Sequence, residues 1–306
     1  MMAAGTSPKP QRGRGMPRPR LAARLFAALQ YLLPQHTLSG AVHGLARIRR
    51  GPLRTALIAA FVRAFAPEMQ DAVQPDPFAY ESFNALFTRA LKPAARPVDP
   101  DPRAVVSPVD GTMSQLGGLE DLTLIQAKGS TYRLDALLAR EHWAREFAGG
   151  AYATLYLAPS NYHRIHMPLA GRLCAAWYVP GRLFSVNAAT ATAVPGLFTR
   201  NERVVCLFET AGGSRFAMVL VGALFVGSIT TVWHGEVTPR RPRGPIELAA
   251  GPGTEWLEKG AEMGRFNMGS TVILVLGPGL ASWLAELAPG ARIEVGQRLG
   301  RLGTRA

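Results

Sequence analysis

Leu21, Leu25, Leu29 and Leu32 recur at intervals of three and four residues, with Phe26 and Leu33 widening the stripe and Arg24 and Gln30 off it. That spacing predicts an amphipathic helix. Pro34 ends it, because proline lacks the N–H that the next turn needs. A second helix is expected over about 53–65, with Leu57, Ile58, Phe61, Val62 and Phe65 on its apolar side. A third, over about 82–91, turns Phe83, Leu86 and Phe87 inward. After Pro97 the texture changes to short apolar runs: 105–106, 152–157, 204–208, 218–226 and 272–276. Gly, Pro, Asn and Asp punctuate them, as they do between strands. The stretch 216–232 reads as two buried strands, since Gly222, Gly227, Ser228, Thr230 and Thr231 interrupt it. Helices are expected near 134–147 and 280–287, and the tail 293–302 as strand, turn and strand. The expected fold is α+β, N-terminal helices followed by a β-sandwich-like core with a few helices.

Of the 306 residues, 48% are hydrophobic and 18% charged, which supplies a core and excludes disorder for most of the chain. The segment 1–20 is the exception: Pro, Gly and Arg with almost nothing to bury, expected to be a disordered basic arm. Cys174 and Cys206 are too few for a disulfide scaffold, and reduced thiols are the simplest reading. The net charge of +13 is concentrated. Residues 1–67 hold Lys9, ten arginines and no acid, so they carry +11 and leave +2 for the other 239 residues. Nucleic acid, an anionic membrane surface and a targeting segment would each explain such a patch. A secretory signal fits poorly, because Arg24 and Gln30 break its apolar segment. An interfacial helix on anionic lipid and a stripe packed on the protein's own core both remain open. No apolar run reaches the roughly 18 residues that a spanning helix needs.

Three local features could carry chemistry. Ser107-Pro108-Val109-Asp110-Gly111 carries a strong turn signal in its Asp-Gly pair. In Tyr162-His163-Arg164-Ile165-His166-Met167-Pro168 the two histidines would share a face on a helix, as metal ligation requires, but would point oppositely in a strand. Pro168 disfavours the helix, and His142 and His234 supply no third ligand at a convincing spacing. Phe266-Asn267-Met268-Gly269-Ser270-Thr271 places a hydroxyl after a flexible residue at the head of an apolar strand. Asp110, His166 and Ser270 could form an orienter, base and nucleophile set, although spacing alone does not bring them together.

Longer stretches carry a resemblance. PVDGTMSQLG (108–117), QAKGSTYRLDALL (126–138), YHRIHMPLAG (162–171), YVPGRLFSVN (178–187), LFTRNERVVCLFET (197–210), VGALFVGSITTVWHGEVTP (221–239) and EMGRFNMGSTV (262–272), in that order, resemble the bacterial membrane-associated phosphatidylserine decarboxylases, a pyruvoyl-dependent family. The likeness runs from about Leu21 to the C-terminal strands. Its departures are the basic arm and Met268, where the family usually has Leu, a change that conserves volume and apolarity.

The resemblance implies a helical membrane-associating region over 21–95 and a catalytic α+β domain over 96–306, cut between Gly269 and Ser270. It implies that Asp110 and His166 activate Ser270, whose hydroxyl attacks the Gly269 carbonyl, with Thr271 or nearby N–H groups stabilising the oxyanion. The products would be a large chain 1–269 and a small chain 270–306 that begins with a pyruvoyl group. That covalent, self-derived cofactor would form a Schiff base with phosphatidylserine and yield phosphatidylethanolamine, with neither metal nor pyridoxal phosphate. His163 is implied as a substrate-contacting or proton-transfer residue. The expected setting is peripheral, at the cytoplasmic face of the cell membrane, on anionic lipid and without nucleic acid; a homodimer stays open. Two other readings use the same residues: a hydrolase that does not cut itself, and a membrane- or nucleic-acid-binding protein without chemistry.

Overall fold

Antiparallel pairing of Gly171–Val179, Arg203–Glu209, Arg215–Val221, Thr271–Leu276, Ala151–Tyr156 and Gly111–Gly118, in that spatial order, makes the spine of the molecule. The computed structural model describes residues 21–127, 130–225, 228–238, 244–248, 256–269 and 271–303; the expected arm 1–20 and Ser270 lie outside them. Thr271–Leu276 is central, with Val272 opposite Leu220 on one side and Leu155 on the other. Every residue of this strand is buried. Its side chains alternate between two cores: Val272, Leu274 and Leu276 enter one, Ile273 and Val275 the other. A sheet covered on both faces needs no polar residue in its middle strands, and so the sequence there is an unbroken apolar run.

The first core is closed by residues of two smaller sheets, among them Val105, Ile165, Ile229, Phe266 and Leu299. The second is closed by short helices that contribute Leu134, Leu137, Leu138, Leu197 and Phe198. The architecture is therefore α+β, with a sheet-rich core behind N-terminal helices. None of the described helices is long and apolar enough to cross a membrane.

Four helices precede the sheets: α1 (Leu21–Leu32), α2 (Gln35–Ala46), α3 (Pro52–Phe65) and α4 (Phe83–Phe87). The Ser82 hydroxyl caps α4 by accepting from the N–H of Ala85 at 3.1 Å. Ile58 and Phe61 of α3 pack on Leu86 and Phe87 of α4, with Met268 against them. Helix α1 docks in an unusual way. Its Ala27 and Gln30 are buried, while Leu21, Leu25, Leu29 and Leu32, 55–83% exposed, face outward. Its contacts combine Ala27 in the second core, the Tyr31 ring 4.7 Å from that of Phe184, and Gln30 Oε1, which accepts from the N–H of Ser185 at 2.7 Å. At the start of α2, Gln35 Oε1 accepts from the N–H of Leu183 at 2.9 Å and His36 contacts the Gly181 carbonyl at 3.0 Å.

Several local expectations require correction. The segment expected to be helical near 280–287 contains the strand Ala281–Trp283, where pairing of Ser282 with Arg301 outweighs helix propensity. The helix expected over 134–147 is two, Leu134–Leu138 and Glu141–Arg145, broken where Ala139 adopts the left-handed conformation at φ 54°. Helix α4 stops at Phe87, short of the expected 91. Helix α2 carries no clear apolar period and was not expected.

Candidate active site

Asp110 occupies the turn between the strands Ala104–Val106 and Gly111–Gly118. The turn lies hard against the end of Ala151–Tyr156: a side-chain carbon on Gly111 would come within 2.2 Å of the Tyr156 carbonyl oxygen, so only glycine fits there. The Asp110 carboxylate is buried and fully engaged. It accepts from Arg96 Nε at 3.0 Å and Nη2 at 2.8 Å, and from the N–H of Val295 at 2.8 Å. Arg96 also donates to Asp71 at 2.7 Å. These bonds, Asp110 foremost, push the guanidinium pKa up despite its partial burial.

The two histidines stand at the strand Arg164–His166, which pairs with Glu262–Phe266. The main-chain N–H of His166 donates to the Pro108 carbonyl at 2.8 Å, tying the strand to the Asp110 turn. Its Nδ1 lies 2.8 Å from the Gly260 carbonyl. A carbonyl only accepts, so Nδ1 carries the proton and Nε2 presents a lone pair, which the Tyr162 hydroxyl meets at 3.1 Å. The ring-holder of His166 is thus Gly260, while the bonds of Asp110 go to Arg96 and Val295. Burial lowers the pKa of His166; its bond to Gly260 and the charges of Glu262 and Asp110 oppose that shift.

His163 is wholly buried, its ring 4.0 Å from that of Phe87. Nδ1 donates to the Asn161 carbonyl at 2.8 Å, which leaves Nε2 bare. That nitrogen has no hydrogen-bond partner among the described residues, and a side-chain carbon built on Gly269 would lie 3.5 Å from it. Burial lowers the pKa of His163 to about 3, so the imidazole is neutral. Thr271 Oγ1 is also buried without a partner among the described residues. Buried polar atoms normally find partners; of these two, one lies beside Gly269 and the other belongs to Thr271. Among the described residues no group of three or more His, Cys, Asp or Glu is arranged to hold a metal ion.

The approach to Gly269 is apolar. A cavity of about 300 Å³ opens on Met268 and Gly269, walled by Phe61 and Phe65 of α3, Phe83 and Phe87 of α4, and Phe225. On the other side of the loop a polar network fixes Asn267. Its Nδ2 donates to Ser228 Oγ at 2.7 Å and Thr230 Oγ1 at 2.9 Å. Glu236 in turn accepts from Ser228, from Arg47 and, at 3.1 Å, from His43 Nε2. Burial raises the Glu236 pKa, but the bonds from Ser228 and His43 and the charge of Arg47 outweigh it and hold the carboxyl below its usual range.

Of the residues that sequence reasoning named, the fold sets His163 Nε2 beside Gly269 and ties His166 to the Asp110 turn through the Pro108 carbonyl. The side-chain contacts of Asp110 and His166 are with Arg96, Val295, Tyr162 and Gly260, and Ser270 lies outside the described residues. Sequence reasoning missed Arg96, Tyr162 and Gly260, which hold the carboxylate and the His166 ring. Tyr162 sits inside a quoted stretch; Arg96 and Gly260 carry no local spacing signal, being brought in by tertiary pairing alone.

Comparison with known proteins identifies the family. The family model described as phosphatidylserine decarboxylase matches residues 83–301, and a second, described as PSD, matches 25–66. A phosphatidylserine decarboxylase proenzyme of Methylococcus capsulatus is 50% identical over 282 residues, 92% of this chain and 97% of that protein. One of Ectopseudomonas mendocina is 50% identical over 289 residues, 90% and 98% of the two chains. One of Bordetella pertussis is 49% identical over 279 residues, 90% and 94%. With likeness that runs through the helices, the Asp110 turn, both histidines and the loop at Gly269, the chain belongs to the phosphatidylserine decarboxylase family.

Proposed function

We propose that this chain is a proenzyme that cuts its own backbone between Gly269 and Ser270 and then decarboxylates phosphatidylserine to phosphatidylethanolamine. The name shared by its relatives supports both the substrate and the precursor state. The observation that supports a cut after Gly269 is that two buried polar atoms, His163 Nε2 beside Gly269 and Thr271 Oγ1, have no hydrogen-bond partner among the described residues.

In this reading Ser270 Oγ adds to the Gly269 carbonyl as His166 Nε2 takes the hydroxyl proton. The peptide C–N bond breaks and an ester replaces it. Loss of the Cα proton of residue 270 then expels the Gly269 carboxylate, and hydrolysis of the resulting dehydroalanine releases ammonia and leaves a pyruvoyl group. His166 suits the task because Gly260 fixes its tautomer, burial keeps it neutral, and its acceptor is covered only by an exchangeable hydroxyl. The Asp110 carboxylate favours the imidazolium that results. Thr271 Oγ1 is free to donate to a developing oxyanion. A pyruvoyl group at position 270 would supply a ketone for the substrate amine and an electron sink as CO2 departs. A second reading gives the hydroxyl proton to His163, because its bare Nε2 is the one that faces Gly269.

The membrane side of the proposal rests on α1. Its outward leucines belong to a segment, 1–67, that carries +11, a combination suited to lying on anionic lipid. The apolar cavity at Gly269 would then receive the lipid's glycerol and acyl portion, with exposed Phe65 and Phe225 at its rim.

A denaturing gel tests the chemistry. Wild type should run as chains of 269 and 37 residues, the two sides of the Gly269–Ser270 bond, and Ser270→Ala as one unprocessed chain. His166→Ala should accumulate precursor; normal maturation of this variant with arrest of His163→Ala would move the base to His163.

A further inference from the structure

Helix α4 separates two cavities. Phe83 and Phe87 line the apolar one at Gly269, whereas Ser82, Asn84, Ala85 and Thr88 line a polar cavity of about 500 Å³ that Gly269 does not touch. Five arginines stand in the wall of the second, Arg47, Arg49, Arg89, Arg164 and Arg265, against one acid, Glu81. Three have counter-charges. Arg47 pairs with Glu236, Arg164 with Glu262 at 2.8 Å, and Arg49 lies 3.6 Å from Glu81. Arg89 and Arg265 form no ion pair among the described residues.

Arg89 is 2% exposed. Its Nη2 donates to the carbonyls of Ser160 at 2.9 Å and Asn161 at 3.4 Å, but its Nε and Nη1, like Nε of Arg265, find no acceptor among the described residues. A buried guanidinium without a direct ion pair is costly to fold around, and burial lowers the Arg89 pKa, opposed by Tyr80 and the more distant charges of Asp110 and Glu68. Two guanidiniums without an ion pair and three nitrogens without a hydrogen-bond partner among the described residues, in one concave wall, are complementary to a compact anion with several acceptor oxygens. A phosphate group has that form, and guanidinium forks match it.

We propose that this cavity binds a phosphate group at a site distinct from the self-cleavage site, with Arg89 and Arg265 supplying the charge and exposed Arg49 a rim contact. The phosphate could come from a lipid headgroup or from a soluble compound, since Arg47 and Arg49 lie between Leu45 and Leu53, both exposed. The proposal does not depend on how Ser270 is activated, and it is tested on the unprocessed Ser270→Ala chain.

Titration of that full-length precursor with glycerol 3-phosphate and with inorganic phosphate should show saturable binding by calorimetry. Arg265→Gln should weaken it by about tenfold or more, the loss expected when a bond to a charged group is removed. Arg49→Gln should weaken it less, and Arg145→Gln, whose exposed side chain pairs with Glu141 elsewhere, should leave it unchanged. Sedimentation with phosphatidylcholine vesicles carrying phosphatidic acid separates the sources. A parallel loss in Arg265→Gln assigns the site to a lipid phosphate; a loss confined to the soluble probes assigns it to a free one. Absence of binding by every probe, or identical binding by the Arg265, Arg49 and Arg145 variants, would overturn the proposal.

Discussion

Helix α1 and the central strand Thr271–Leu276 are both rich in aliphatic side chains, yet the fold uses them in opposite senses. The strand buries all of its own and pairs its backbone on both sides. The helix turns its leucines out and is held by Ala27, Tyr31 and the buried amide of Gln30, which serves the main chain at Ser185, while Gln35 at the start of α2 serves that at Leu183. The contrast shows that apolar periodicity identifies a surface that leaves water without saying what replaces the water. For the strand it is protein. For the helix, in a segment of charge +11, the proposed answer is lipid.

The contrast can be broken by substitution. In urea titrations of the Ser270→Ala precursor, Leu274→Ala should cost about 2–5 kcal/mol, because a fully buried side chain leaves a cavity in a paired strand. Gln30→Ala should cost about 1–3 kcal/mol by leaving the Ser185 N–H without its acceptor. It should also expose the junction of α1 and α2 to protease.

A pH series sharpens the comparison from the active-site end. His163 titrates near 3 when folded and near 6.5 when unfolded, so between those values the unfolded chain binds more protons. Precursor stability should therefore fall as pH drops from about 6.5, by up to about 1.4 kcal/mol per unit from this group. His163→Gln should flatten that slope. The smallest effect on folding belongs to α1: Leu25→Ser with Leu29→Ser should change stability by no more than about 0.5 kcal/mol each. The same pair should weaken binding to anionic vesicles, and weaken it most at low salt.

The sequence carried the strands well, because a sheet covered on both faces writes unbroken apolar runs such as 272–276. It also carried α1 to within a residue, since its period is strong and Pro34 stops it. It did not carry the orientation of α1, which depends on Gln30 meeting a loop more than 150 residues away. Nor did it carry α2, whose Gly40 and Gly44 dilute the pattern, or the strand at 281–283, formed only by pairing with 300–302. At the site the histidines, Asp110 and the Gly-Ser-Thr stood out by residue type and resemblance. Arg96, which holds Asp110, and the closeness of His163 to Gly269 exist only once the chain is folded.

The account stands most directly on the mass of the small chain. Intact-mass spectrometry of purified wild type, with and without a hydrazine, should find a fragment of 37 residues whose first residue is a pyruvoyl group and whose mass rises by one hydrazone on treatment. A single full-length chain, or a fragment that begins with an ordinary serine and ignores the hydrazine, would contradict it.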